Sequence, residues 1–140
     1  MKVKTLFRPV GIKELELIAS LNWKAFPPRL DWQPIFYPVL NQPYAEQIAR
    51  EWNTQDAFSG YCGIVTRFDV DEVYLKQFNI ENVGAEMHNE LWIPAEELEE
   101  FNKHIVGKIE IVKVFVGKGF ELPEHNILRQ ELLNFYNQLK

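Results

Sequence analysis

The sequence contains a single cysteine, Cys62, which rules out an internal disulfide framework and a thiolate cluster for zinc. Its setting, SGYCGIV, reads as a buried strand in which the thiol is one more small apolar side chain. Histidine is scarce too. His88, His104 and His125 stand far apart, and none has a second histidine or cysteine at metal-ligand spacing, so no metal site is expected. No apolar run approaches the roughly 18 residues of a membrane span, and the N-terminal MKVKTLFRPVGIKELEL is interrupted by Pro9 and Gly11 before a signal-like core develops. The expectation is a cytoplasmic chain with no membrane segment. Concentrated positive charge is also missing. The net charge is −5 and the 15 lysines and arginines are scattered, which disfavours binding to a nucleic-acid backbone. Neither G-x-x-x-x-G-K-[ST] nor a G-x-G-x-x-G after a strand is present, nor are H-E-x-x-H and G-x-S-x-G. The acidic run at Asp69 to Glu72 lacks the glycine and closing glutamate of a calcium loop and reads as a solvated helix start.

What is there suits one globular domain over residues 1–140, with 46% apolar and 25% charged residues. VKTLFR predicts a strand stopped by Pro9, and Ile12, Leu15 and Ile18 recur at helical spacing over Gly11 to Ser20. FPPRLDWQP is an ordered, proline-rich loop, followed by a short strand, IFYPV, ending at Pro38. In QPYAEQIAREWN, Pro43 suits a first helical turn, and Tyr44, Ala45, Ile48, Ala49 and Trp52 form one apolar stripe facing the core. From Tyr61 to Val70, Ile64, Thr66, Phe68 and Val70 share one strand face and Val65, Arg67 and Asp69 the other. Asp71 caps a short helix, EVYLKQF, and NIENV returns as a strand. Met87 to Asn102, MHNELWIPAEELEEFN, predicts a strand running directly into a helix that begins at Pro94 and turns Leu98, Phe101 and Ile105 inward until Gly107. IEIVKVFV is a strongly β-branched strand, and a helix from about Glu124 carries Leu128, Leu132, Phe135 and Leu139. Strands and helices without regular alternation predict an α+β fold with a mixed, mostly antiparallel sheet and flanking helices.

The chemically informative positions interrupt these patterns. Glu90 places a carboxylate between His88 and Trp92 on one strand face, and the bulk of Trp92 suits a cleft wall better than a solvated face; an ordinary polar sheet face is the alternative. Arg8 ends an apolar strand, with a planar fork of donors suited to phosphate oxygens. Arg29 and Tyr37 sit on rigid, proline-bounded segments that hold a binding side chain at low entropic cost.

LFRPVGIKELELI, FPPR, QPIFYPVLNQPYAEQIAREWN, VTRFDV and above all ELWIPAEELEEFNKHIVGKIEI resemble small bacterial proteins labelled "ADP-ribosylation/crystallin J1", and the order of elements resembles the ADP-ribosyltransferase fold. The resemblance implies a split sheet with NAD in its cleft, Arg8 pairing with the diphosphate, Glu90 as the catalytic carboxylate beside the ribose, and Tyr37 or Trp92 stacking on nicotinamide. It implies a nucleotide-type partner, with His88 and Arg29 as further binding residues. The strand IFYPV stands where many such transferases carry Ser-Thr-Ser, and His88 stands where they carry Glu or Gln. These departures, with the aromatics Trp23, Trp32 and Phe26 expected at the surface, motivate a non-catalytic binding module of the same fold as the alternative. A relative acting on nucleic acid would use Lys2, Lys4, Arg8, Lys24 and Arg29 around the cleft. The crystallin-like hydrolases are larger, all-helical and rich in metal-binding aspartates, unlike this chain.

Overall fold

The computed structural model describes residues 2–124 and 126–139. In chain order the elements are β1 (Val3–Val10), α1 (Ile12–Ser20), β2 (Ile35–Phe36), α2 (Gln42–Glu51), β3 (Cys62–Asp71), α3 (Glu72–Leu75), β4 (Ile80–Asn82), β5 (Asn89–Leu91), β6 (Ile93–Pro94), α4 (Leu98–Lys103), β7 (Ile105–Val116) and α5 (Asn126–Leu139). The fold is α+β, with antiparallel sheets and flanking helices, as the element order predicts. His125 lies outside the described residues, as does the side chain of Leu139. Among the described residues no helix is long and apolar enough to cross a membrane.

β3 is the centre of the main sheet, in the order β1-β3-β7. Its two faces explain its sequence. Ile64, Phe68 and Val70 join Leu6, Val10, Leu15, Ile18, Phe101 and Leu128 in one core, placing α1, α4 and α5 on that face. Val65 meets Val39, Tyr44, Ala45 and Ala49 of the other cluster, placing α2 on the opposite face. A strand buried on both sides needs apolar residues in both registers, which is why Ile64 and Val65 follow one another. Thr66 is the polar exception, and its hydroxyl donates to the Arg8 carbonyl at 2.7 Å. Gly63 lets α2 press onto the sheet, since a Cβ there would stand 2.6 Å from the Ala49 carbonyl oxygen.

The core is unusually aromatic around Phe36. Its ring lies 5.0 Å from Phe26 and 5.5 Å from Phe101, and Phe26 lies 4.8 Å from Phe68. Phe26 is therefore a core residue, not the surface aromatic the sequence suggests, because the proline-rich loop turns inward there. Asn102 holds it, its side chain accepting from the Phe26 N–H and donating to the Phe26 carbonyl.

Several boundaries differ from the sequence reading: β1 is not stopped by Pro9 but pairs with β3 as far as Val10, and β2 ends at Phe36, short of Pro38. Ile105 opens β7 instead of closing α4, because β7 passes through Gly107 as a bulge at φ +79° opposite Arg67 to Asp69. There the Ile109 N–H bonds the Trp23 carbonyl at 2.6 Å and ties down the proline-rich loop. The segment from Met87 runs into a helix as expected, but the strand starts at Asn89, is interrupted at Trp92 and includes Pro94, and a 3-10 turn from Ala95 leads into α4.

Candidate functional site

Prolines determine where the sheet opens. Phe7 and Val39 exchange both backbone hydrogen bonds, at 3.0 and 2.7 Å, so the segment containing β2 begins to pair beside β1. The next antiparallel bonded pair would set Pro9 against Tyr37, and Pro9 has no N–H to give. The strands part there. The segment from Ile35 to Val39 pairs instead with β5 and β6, through Ile35 with Pro94, Phe36 with Ile93 and Val39 with Glu90.

The parting leaves a cavity of about 480 Å³, within the usual range for small-molecule sites. Arg8, Arg29, Tyr37, Glu90 and Trp92 all line it. They come from three distant segments of the chain, brought together by the bridge at Val39. The opposite wall is the segment of 3-10 turns after α2, contributing Trp52, Asn53, Phe58 and Ser59. Gly11 permits that wall, because a Cβ at residue 11 would stand 2.6 Å from the Ser59 Cα.

Glu90 is buried and fully engaged. Its Oε2 accepts from the Tyr44 hydroxyl at 2.9 Å and its Oε1 from the Trp92 indole N–H at 2.7 Å. Trp92 remains 44% exposed and forms part of the cavity wall, its ring 6.3 Å from that of Tyr37 and perpendicular to it.

The cations are differently placed from one another. Arg8 is buried and grips Glu14 of α1 with two bonds, Nε to Oε2 at 2.7 Å and Nη2 to Oε1 at 2.9 Å, with its Cζ 4.7 Å from the Phe36 ring centre. Arg29 donates through Nε to the Ile35 carbonyl at 3.2 Å and approaches Glu14 only to 4.0 Å. Burial, and after it the neighbouring Arg8, pull the Arg29 guanidinium down to about 10, with Glu14 opposing the shift. Arg29 stays charged at neutral pH, and its terminal nitrogens are the ones left for an anion. The lining charges balance overall, Arg8, Lys13 and Arg29 against Glu14, Asp56 and Glu90, so an anionic group would be held by local geometry and not by a general positive field.

His88 does not line the cavity. His88 stands just before the strand, which begins at Asn89. Its ring instead stacks on Tyr44, 4.6 Å between centres, with Nδ1 accepting from the Ala85 N–H and Nε2 facing the Gln47 side-chain oxygen at 2.9 Å. His88 braces Tyr44, which holds Glu90.

Sequence reasoning missed Glu14 and Tyr44. Nothing marks Glu14 beyond a place in the first turn of a helix. Tyr44 carries a usable signal, since a tyrosine on a buried stripe must find a partner for its hydroxyl. Trp52 departs from that stripe: it caps α2 and is 59% exposed at the cavity.

Burial, with the Glu90 hydrogen bond second, pushes the Tyr44 hydroxyl up from 10.0 to about 12. The folded chain therefore holds this proton more tightly than the unfolded one, and the resulting stability is complete below pH 10.0 and lost as pH rises through about 12. Urea unfolding over pH 9.0 to 12 should show the stability of the native chain falling more steeply than that of Tyr44→Phe, while the buried Cys62 thiol, pushed up to about 12, contributes equally to both. Parallel curves would show that Tyr44 is not held as described.

Comparison of the chain with protein-family models, with curated proteins and with solved structures finds no match in any of the three.

Proposed function

We propose that this chain is an ADP-ribosyltransferase-like domain whose cavity binds NAD or a related ADP-ribose compound and transfers ADP-ribose. The observation that carries the reading is the convergence of Arg8, Arg29, Tyr37, Glu90 and Trp92 on one cavity of about 480 Å³ from separate parts of the sequence. NAD supplies a nicotinamide–ribose bond that breaks with its electron pair leaving on nicotinamide, so that positive charge develops on the ribose. Glu90 faces that charge as a carboxylate held in place by Tyr44 and Trp92, a preorganised arrangement that needs no reorientation during the reaction. Arg29 has guanidinium donors left for a diphosphate, and the perpendicular rings of Tyr37 and Trp92 offer apolar faces to nicotinamide.

A second reading is a binding module of the same fold without turnover. It is favoured by one specific observation: the bidentate Glu14 already satisfies Arg8, the cation that the resemblance assigns to the diphosphate.

Thermal melting and calorimetric titration with NAD, ADP-ribose and nicotinamide test both. Binding at a ligand concentration of 100 times Kd should stabilise the fold by about 2.7 kcal/mol. Nicotinamide release from NAD marks the transferase, stabilisation by ADP-ribose without release marks the module, and no stabilisation by any of the three at millimolar concentration overturns both.

A further inference from the structure

One end of the cavity holds an unequal set of charges. Arg8, Arg29 and Glu14 all line it, and their side chains are largely buried, 10% exposed for each arginine and 21% for Glu14. Both guanidinium carbons lie against one ring, 4.7 and 6.0 Å from the centre of Phe36, so two like charges are fixed side by side. Of the three carboxylates that line the cavity, Glu14, Asp56 and Glu90, only Glu14 comes within 4.0 Å of either guanidinium. Its two oxygens accept from Arg8, at 2.7 and 2.9 Å, and it reaches Arg29 only at 4.0 Å. Two cations therefore share one anion.

The ionisation of Arg29 shows the same shortfall, since burial and the charge of Arg8 pull it down to about 10 against the opposing effect of Glu14. A largely buried cation without a full partner is costly, and an incoming anion relieves that cost. The other lining charges leave this balance unchanged. Glu90 is engaged by Tyr44 and Trp92, Asp56 accepts from Ser59 on the opposite wall, and Lys13 is exposed to solvent and screened by it.

We infer that Glu14 sets the charge class of the group held at this end: one negative charge, as on a carboxylate or a phosphodiester, and not the two of a terminal phosphomonoester. The inference rests on the proposed reading in taking Arg29 as the anion-binding residue, and it narrows the ligand class. A single charge brings the three side chains to neutrality. A phosphomonoester carries about −1.5 to −2 at pH 7, and its second charge would stand in a partly buried site near the Glu14 carboxylate with no cation left to meet it. Each phosphate inside a dinucleotide meets the requirement; the terminal phosphate of a mononucleotide does not.

Benzenesulfonate and phenylphosphonate test the assignment, because each carries a tetrahedral anion on one ring and neither needs the Glu90 chemistry. At mildly alkaline pH the first has one charge and the second two. Calorimetric titration of the full chain should show the sulfonate binding on the order of 10-fold tighter. Glu14→Gln keeps one acceptor for Arg8 and raises the charge of the site by one, so it should reverse the order, the phosphonate becoming the tighter ligand by roughly 10-fold. A merely structural Glu14 would weaken both probes together. Since Glu14 also ties α1 to β1, the melting transition of that variant is checked, and Arg29→Gln supplies an independent one: with no surplus cation left, it should lose roughly 10-fold in sulfonate affinity. Equal affinity for the two probes in the native chain, no binding of either at tens of millimolar, undiminished sulfonate binding in Arg29→Gln, or parallel losses in a folded Glu14→Gln overturns the inference. Failure of NAD and ADP-ribose to bind while the preference for the sulfonate holds counts against the transferase reading and leaves this one standing.

Discussion

Glu90→Gln should fold normally and lose roughly 10²–10³-fold in the rate of nicotinamide release, the scale found when a preorganised electrostatic group is removed. The argument for normal folding lies in its two partners. The Trp92 indole N–H can only donate, whereas the Tyr44 hydroxyl can donate or accept. A glutamine therefore turns its oxygen toward Trp92 and its NH2 toward the Tyr44 oxygen, and both contacts at residue 90 survive. The stability cost should stay near 1 kcal/mol. The charge is lost while the shape is kept. Measured kcat and urea unfolding separate the two effects: unchanged turnover in a well-folded variant would remove Glu90 from the reaction, and turnover lost in proportion to stability would make it merely structural. Glu90→Leu is the contrasting variant, because it leaves the buried Tyr44 hydroxyl without an acceptor and should destabilise more.

Phe36→Ala should be the most destabilising single change, by about 3–5 kcal/mol. Phe36 is fully buried and touches Phe26 and Phe101, so its removal opens a void that rigid rings on both sides are slow to fill. Against the roughly 5–15 kcal/mol of a typical domain, this is a large fraction. Phe36 also supports the site directly. The guanidinium carbons of Arg8 and Arg29 lie 4.7 and 6.0 Å from its ring centre, so the same substitution should weaken ligand binding in the fraction that remains folded. Phe36→Leu, which fills most of the space, should cost less than half as much. The urea midpoint checks both variants, and a loss below 1 kcal/mol for alanine would show that the aromatic cluster does not hold the sheets together.

Much of the framework was legible because local rules decide it. Alternation over Tyr61 to Val70 is a sufficient reason for β3, and the stripe of Tyr44, Ala45 and Ala49 for the buried face of α2. Pro43 marks its first turn, and in the structure Asn41 caps it, its side chain accepting from the Tyr44 N–H. Boundaries failed where a long-range contact prevailed: Gly107 ends no element, because a bulge and the Trp23 carbonyl make use of its left-handed conformation.

The site divides in the same way. Arg8, Glu90 and Trp92 were anomalous in their own segments, a charge or bulky ring where the local pattern asked for something else, while Arg29 and Tyr37 were marked by their rigid, proline-bounded segments. His88 was grouped with Glu90, and the structure connects the two through Tyr44 without bringing His88 to the cavity. Glu14, Asn53 and Phe58 break no local pattern, so no property of their segments could have marked them.

The sequence by itself determined the class of fold, the strands and helices that carry strong periodicity, and the side chains whose chemistry does not suit plain packing, since each depends on neighbours a few residues away. Only the tertiary structure decided that these side chains share a cavity and that Arg8 is held by Glu14. Those facts depend on where β1 and the Phe36 segment part company, at Pro9 beside the single bridge to Val39. A missing N–H is written in the sequence, but which strand it faces is known only once the sheet has formed.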